Sequence, residues 1–505
     1  MKILSASQIK EADRYTIEHE PITSIDLMER AASASVESIL ERYPKSTGYT
    51  ILCGKGNNGG DGLAIARLLA AMPFHVQVYV LEYTDSASDD FLRNMERLKS
   101  EGKASIIHAY TDEDIYLPEQ NIVIDAILGT GINKPTEGLI TSVIDKVNKS
   151  GLKVLAIDVP SGMYIDAPSP RKTSIIHATR TLTFQQPKLA FMFPESAEYV
   201  GEFEVLDIRL DTSFMPDASC RYFYVDVKDI APVLRPRPKF SHKGTFGHAL
   251  IIAGSYGKMG AAVLASQACL RSGTGLLTVH IPSCGYQIMQ TSVPEAMISI
   301  DAEAEHLSAM PEDAAYKSIG IGPGIGTHTA TTKLLKNIIQ LVHVPLVIDA
   351  DALNIISENK TWLGFLPALT ILTPHPKEFD RLTKVHGDSW ERLESARALA
   401  QKHRLVIVLK GAHTAVVLPD GSVWFNSTGN PALAKGGSGD VLTGIITGLL
   451  ARGYSAHLSA SIGVYIHGLA ADLAVKEINA ESMVATDVIS HLSGAFGRLY
   501  DWESE

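Results

Sequence analysis

Apolar residues in this chain fall into short, nearly continuous runs, and several of the runs end in glycine. YTILCG, HVQVYVLE, NIVIDAILGTG and LKVLAIDVPSG follow one another in the first half. Continuous rather than alternating apolarity suits parallel strands buried on both faces. Helix-like segments lie between them, for example Asp61 to Met72 and Thr141 to Lys149. Strand and helix alternate, so the pattern predicts an α/β domain built on a parallel sheet.

The rhythm breaks between Asp211 and Phe246. This stretch holds the proline-rich segment APVLRPRPKF, where fixed φ and missing N–H donors disfavour a helix or a central strand. The domain junction is placed at Asp211 to Val225, giving domains over 1–215 and 225–505. Strand-like runs then resume with HALIIAG, GLLTVHIP, YKSIGIGPGIG, PLVIDADAL, LTILTPHP and RLVIVLKG. TAVVLPDGSVWFN reads instead as a hairpin turning at Asp420-Gly421. The sequence after Gly439 is helix-rich.

Composition narrows the function classes. The chain has 505 residues, enough for two domains, with 45% hydrophobic and 20% charged residues. Its net charge of -11 disfavours nucleic-acid binding, which calls for a basic face. Cys53, Cys220, Cys269 and Cys284 form no C-x-x-C pair, so neither a zinc site nor a disulfide framework is signalled. The N-terminal segment MKILSASQIKEADRYTIE lacks a continuous apolar core, so no signal peptide is expected. No membrane span is expected either, and the chain reads as cytoplasmic.

Two glycine-rich junctions carry candidate chemistry. In AKGGSGDVLTGIITGLL the glycines precede an apolar segment that reads as an amphipathic helix starting near Asp440. A helix start carries unpaired N–H groups and the positive end of the helix dipole, and glycines let a phosphate approach them. Asp440 stands where a helix cap or a base beside an incoming phosphoryl group would stand. In CGKGNNGGDGLAIARLL a strand ends at Cys53, a loop follows, and a helix is expected near Asp61. Asp125, with its outgoing loop Gly129 to Pro135, and Asp158 with Ser161 lie at two further strand ends. Such loops gather at one crevice in an open parallel sheet.

SHKGTFGHALIIAGS, MGAAVLAS, RSGTGLLTV, IGPGIG, VIDADALN, LTPHPKE, VLKGAHT and GGSGDVLTG follow one another in the second half. In that order they resemble the motifs of the ADP-dependent NAD(P)H-hydrate dehydratases of the ribokinase-like fold. The resemblance implies Asp440 as catalytic base, and backbone donors on a transferring phosphate from Gly437, Ser438 and Gly439. It places Ala261, Gly322, His375 and Asp440 on the hydrated dinucleotide, and Lys410, Gly411, Ala412, His413 and Thr414 on the nucleotide. Magnesium is expected with ADP. Phosphorylation of the ring hydroxyl, then elimination, would release NAD(P)H, phosphate and AMP. Relatives commonly carry glycine where this chain has Lys377. The alternative is a ribokinase-like small-molecule kinase with a non-catalytic N-terminal binding module.

The set GNNGGDG, DAILGTG and DVPSG, within the first 210 residues or so, resembles the NAD(P)H-hydrate epimerase domain. The resemblance implies a Rossmann-like, three-layer parallel-sheet domain. Asn57, Asn58, Gly59, Gly60 and Asp61, with Gly129, Thr130, Gly131, Ile132, Asn133, Lys134 and Pro135, would hold the hydrated dinucleotide. Asn58, Asp125 and Ser161 would bind potassium. Asp158 would meet the ring end as the acid–base group, and Lys188 in QQPKLAF lies near the site without an assigned role. Hydrated NADH or NADPH and ADP are the implied partners, in a homo-oligomer.

Overall fold

The computed structural model describes every residue except 44–47, 171, 215–218, 312–314 and 503–505. Two compact units divide the chain: Lys2–Cys220, and Arg221–Glu505 together with Met1. Residue 215, where the first domain is expected to end, lies outside the described residues.

The first unit is built on seven strands: β1 Gly48–Cys53, β2 Val76–Leu81, β3 Ser105–Ala109, β4 Asn121–Ala126, β5 Val154–Ile157, β6 Arg180–Phe184 and β7 Glu202–Leu206. Their order across the sheet is β3-β2-β1-β4-β5-β6-β7, and every neighbouring pair is parallel. The chain reverses its direction of travel between β1 and β4, and a crevice opens beyond the carboxyl ends of strands at such a point. β1 and β4 are buried along their whole length, as their nearly continuous apolar runs imply. β3, β6 and β7 left no clear mark in the apolar pattern. β3 is a half-exposed edge, and β6 alternates in threonines that are buried all the same, Thr181 bonding to the Val200 carbonyl at 2.8 Å.

The helix after β1 begins earlier than the sequence pattern predicts. It spans Asn57–Ala70, with Gly56 as N-cap in an extended conformation. The Asn-Asn-Gly-Gly segment is therefore its first turn and not a loop. The glycines serve close packing: a Cβ on Gly59 would lie 1.8 Å from the Gly54 carbonyl oxygen, and one on Gly62 would lie 2.6 Å from Ala126 Cβ. Low helix propensity predicts a loop for these residues, and the tertiary contact that overrides it is not displayed in the sequence.

The second unit carries a ten-stranded sheet. Its strands are β8 Tyr222–Val225, β9 His248–Ile252, β10 Leu276–Ile281, β11 Met297–Ile300, β12 Ser318–Ile321, β13 Leu346–Ile348, β14 Ile371–Leu372, β15 Val406–Leu409, β16 Ala415–Val417 and β17 Val423–Asn426. The order is β11-β10-β9-β12-β13-β14-β15-β16-β17-β8. β9 to β15 are joined in parallel, and β16 with β17 forms the hairpin expected at Asp420-Gly421. β8 falls inside the stretch read as irregular, although the proline run after it holds no strand. It pairs in parallel with β17, and Phe223 stacks on Trp424 with ring centroids 4.4 Å apart.

The helix after the GGSG turn also differs from the expectation. It spans Ser438–Ala451, and every residue from Val441 to Ala451 is buried, so it is a central core helix and not an amphipathic one. It lies against the helix Met259–Arg271 at backbone distance: a Cβ on Gly444 would come within 2.1 Å of the Ala265 carbonyl oxygen. Among the described residues one helix, Ala456–Glu477, is long and apolar enough to cross a membrane, and 72% of its apolar window is buried inside the protein.

Close packing at the first helix start predicts a sharp contrast. Gly59→Ala is expected to destabilise the chain by about 1–3 kcal/mol or more through overpacking. Gly497→Ala, on the helix Ala485–Tyr500 with nothing within 4 Å of the new methyl group, is expected to stabilise by about 0.5–1 kcal/mol. Thermal or urea unfolding of the two variants checks both signs.

Candidate active sites

In the first unit, a cavity of about 500 Å³ opens at the β1/β4 reversal. Asn57, Asn58 and Asp61 reach it from the helix start, and Gly129, Thr130, Gly131, Ile132, Asn133 and Lys134 from the loop after β4. Asp158, Phe184, Gln186 and Lys188 form another wall, and Lys10 and Asp13 of the helix Ala6–His19 a further one. Gly59, Gly60 and Pro135 are not on the cavity wall. Gly59 and Gly60 are turned into the packing of their helix, and the Gly60 N–H already donates to the Gly56 carbonyl at 3.1 Å. The anion donors left at this helix start are the N–H groups ahead of it.

Asn58, Asp125 and Ser161 converge around Leu128. Asn58 Nδ2 donates to the Leu128 carbonyl at 3.1 Å, and Ser161 Oγ lies 2.8 Å from the Leu128 N–H. Asp125 accepts from Ser161 Oγ at 2.5 Å, Ser161 N at 2.8 Å and Ile127 N at 3.2 Å. Burial pushes the Asp125 carboxyl up to about 6, and these hydrogen bonds oppose the rise. The donor set is all oxygen, with a backbone carbonyl among it, which suits a hard cation.

Asp158 follows β5 with φ +64°, a conformation that non-glycine residues rarely adopt. Three interactions explain why it persists. Lys188 Nζ lies 2.8 Å from Asp158 Oδ1, the Phe184 N–H donates to the same oxygen at 3.2 Å, and Thr183 Oγ1 does so at 3.4 Å. The Lys188 side chain is 1% exposed, and its ammonium also donates to the Phe184 and Gln186 carbonyls, each at 3.2 Å. No role for Lys188 is readable from its motif, because a lone lysine in a short loop shows nothing of its burial. Asp13 went unread altogether. It is one polar position on an ordinary helix, and burial with Asp158 nearby pushes its carboxyl up to about 6. Burial and the nearby Asp158, Asp13 and Asp90 push Asp61 well above the carboxylate range.

In the second unit the candidate residues gather at the carboxyl ends of β12 to β15. Gly437, at φ +93°, turns the chain into the helix Ser438–Ala451 and leaves Ser438, Gly439 and Asp440 in its first turn. A left-handed residue here leaves the first N–H groups facing outward, the arrangement an anion needs. Asp440 is pushed up to about 6 by burial and by the like charge of Asp349, while Lys410 opposes the shift. Lys410 does not reach out toward a ligand. Its ammonium lies 3.0 Å from Asp349 Oδ1 and 3.8 Å from Glu378, and these carboxylates raise its pKa against the opposing effect of burial. Thr443 Oγ1 donates to the other Asp349 oxygen at 2.7 Å. Asp349, Glu378 and Thr443 lie in three separate motifs, and nothing in their spacing shows that they meet.

The remaining predicted positions divide. Gly322, at φ +134°, faces the protein, where a Cβ would lie 1.8 Å from the Asp349 carbonyl oxygen; glycine is required there by packing. Ala261 sits beside the same turn, 3.1 Å from where a Cβ on Gly324 would be. His375 caps the helix Pro376–Leu382. Its Nδ1 accepts from the Lys377 and Glu378 N–H groups at 3.1 and 3.3 Å, which places the ring proton on Nε2. Lys377 is exposed in the first turn and leaves this cap intact. Gly411 and Thr414 close a turn on each other, Ala412 lies within it, and the His413 ring bonds to the Asn426 carbonyl at 3.1 Å.

Each unit is thus a parallel-sheet α/β domain with polar groups gathered at its strand ends, which defines a two-domain, two-site α/β protein. Residues 24–190 match the family model described as YjeF-related protein N-terminus, and residues 249–493 the one described as NAD(P)H-hydrate dehydratase. The chain is 36% identical, over 97% of its length and 96% of the relative's, to the bifunctional NAD(P)H-hydrate repair enzyme Nnr of Moorella thermoacetica. It is 31% identical to the Escherichia coli enzyme of that name, over 96% of this chain and 92% of that one. A crystal structure of ADP/ATP-dependent NAD(P)H-hydrate dehydratase from Bacillus subtilis, co-crystallized with ATP and Mg2+, aligns at 33% identity and TM-score 0.49, covering 55% of this chain and 98% of that chain. The chain belongs to the bifunctional NAD(P)H-hydrate repair enzyme family.

Two stability predictions follow from the paired charges. Lys188→Met leaves a carboxylate without its buried cation and is expected to cost about 3–5 kcal/mol, with part of the loss recovered in the double variant with Asp158→Asn. Urea unfolding of the single and double variants measures that coupling. Asp440 has the opposite sign: its folded pKa lies above the ordinary value, so its charged form opposes folding above about 6 and has no effect below the ordinary carboxylate range. Asp440→Asn is therefore expected to raise stability by roughly 1 kcal/mol near pH 8 and to change it little near pH 4.

Proposed function

We propose that this chain repairs hydrated NAD(P)H with two separate sites. The N-terminal cavity interconverts the two epimers at the hydroxylated ring carbon, and the C-terminal site dehydrates the S epimer with ADP, releasing NAD(P)H, AMP and phosphate. The observation that carries this reading is the family match along nearly the whole chain, with Asp158 and Asp440 each at the mouth of its own strand-end site.

The C-terminal chemistry follows from the first turn of the helix Ser438–Ala451. Hydroxide is a poor leaving group, so the ring hydroxyl must be activated. Asp440 takes the hydroxyl proton while the N–H groups of Gly437, Ser438 and Gly439 meet the transferring phosphoryl oxygens. Phosphate then leaves as the ring nitrogen donates its electron pair, and loss of a proton from the adjacent ring carbon to water restores the nitrogen lone pair and forms the carbon–carbon double bond of NAD(P)H. Lys410, tied to Asp349 beside Gly439, supplies fixed positive charge. His375, with its proton on Nε2, offers a donor to the hydrated ring. Magnesium bound with the nucleotide would neutralise charge on the transferred group, while both Asp349 oxygens stay engaged by Lys410 and Thr443.

In the N-terminal cavity, Asn57, Asn58 and the 129–134 loop hold the dinucleotide, and Asp158 works at the ring carbon. Asn58, Asp125 and Ser161 would hold potassium, which would supply a fixed charge beside the dinucleotide.

An assay of both hydrated NADH epimers, with and without ADP, tests the reading. Asp440→Asn is expected to lower dehydration by about 10²-fold or more and leave epimerisation unchanged; Asp158→Ala is expected to do the converse. Dehydration by the unaltered protein should fall as pH drops through about 6, where Asp440 gains its proton. Accumulation of a stable phosphate ester without NADH would favour the kinase alternative.

A further inference from the structure

Asp13 stands apart from the strand-end residues. It comes from the helix Ala6–His19, which no dinucleotide-binding turn includes, yet it lines the same cavity as Asp61, Asp158 and Lys188. Ala12, its neighbour, is packed with Leu27 and Ala31 of the helix Ser24–Arg42, so the Asp13 helix is anchored from behind by apolar contacts. The charged groups facing Asp13 are Asp61, Asp158 and Lys188, with Lys10 one turn earlier on its own helix. Lys188 is committed to Asp158 at 2.8 Å, and no hydrogen bond or ion pair engages the Asp13 carboxyl among the described residues. Neighbouring carboxyls that share one cation cannot all ionise freely, so a proton stays among them.

Resting on the epimerase reading above, we propose that Asp13 is the general acid of the N-terminal cavity and works with Asp158 as the base. Asp13 gives its proton to the hydroxyl oxygen on the ring carbon. The carbon–oxygen bond breaks, its electron pair leaves with water, and the ring nitrogen's lone pair forms the carbon–nitrogen double bond. Water then adds to the opposite face of that carbon, and Asp158 takes the proton released. No oxidant or reductant is consumed. One proton has passed from Asp13 to Asp158 and returns through cavity water to reset the pair. Asp61 is the weaker candidate for the donor: Asp90 adds to the charges around it, and a group that holds its proton so firmly is a poor acid near neutral pH. Asp13, shifted only to about 6, exchanges readily.

The test uses the full-length chain and the purified R epimer of hydrated NADH without ADP, following appearance of the S epimer by chromatography above the spontaneous rate. Asp13→Asn is expected to slow interconversion by about 10²-fold and to remove the fall in rate that the unaltered protein shows as pH rises above about 6. Asp13→Glu is expected to restore a large share of the rate together with that pH limb. ADP-dependent dehydration of the S epimer by each variant serves as the folding control. An Asp13→Asn rate within about twofold of the unaltered protein, or an unchanged alkaline limb, overturns the assignment. An unaltered protein that dehydrates the S epimer but never interconverts the two overturns the epimerase reading itself, a result distinct from the first.

Discussion

A helix start brought within backbone distance of a strand end is the constraint on which both sites depend. The N–H groups of a helix's first turn have no partners inside the helix, and they become useful to a ligand only if the sheet holds that turn rigidly at its carboxyl edge. At Gly59 the sheet comes so near that a methyl group would overlap the Gly54 carbonyl. In the second unit the core helix is fixed from its side, where Gly444 meets the Ala265 carbonyl of the helix Met259–Arg271, and Thr443 ties its first turns to Asp349 beyond β13. The glycines of this chain therefore do two jobs that look alike in the sequence: a few face ligand space, and others let two pieces of backbone touch.

Both units solve a related electrostatic problem by similar means. A buried or half-buried lysine is paired with an aspartate beyond a strand end, Lys188 with Asp158 and Lys410 with Asp349. A second aspartate stands nearby with its carboxyl pushed up to about 6: Asp13 in the first unit and Asp440 in the second. A fixed ion pair beside a carboxyl poised near neutrality separates the tasks of holding charge and moving a proton. Neither lysine is free to follow a ligand, which distinguishes them from the mobile cations that usually grip phosphate.

Much of the fold was legible because strands buried on both faces are mostly apolar, and β1, β4, β9 and β15 are. β6 was missed because its threonines satisfy their hydroxyls inside the core, as Thr181 does on Val200. The start at Asn57 was missed because propensity argues against Asn-Asn-Gly-Gly, and only the neighbouring Gly54 explains it. At the sites, residues within glycine-rich turns announced themselves. Asp13, Lys188 and Glu378 did not: each matters through what it meets far along the chain, and spacing carries no record of that.

The helix Ser438–Ala451 has one further consequence. It has no solvent-facing side beyond its first turn, so that first turn and the middle of its domain are a single mechanical part. Loosening the tip to widen its tolerance for other molecules would mean repacking against Ala265 and Cys269, at the centre of the domain. Selection for a broader repertoire at this end would therefore act first on the surrounding loops, leaving the helix itself among the least variable parts of the domain.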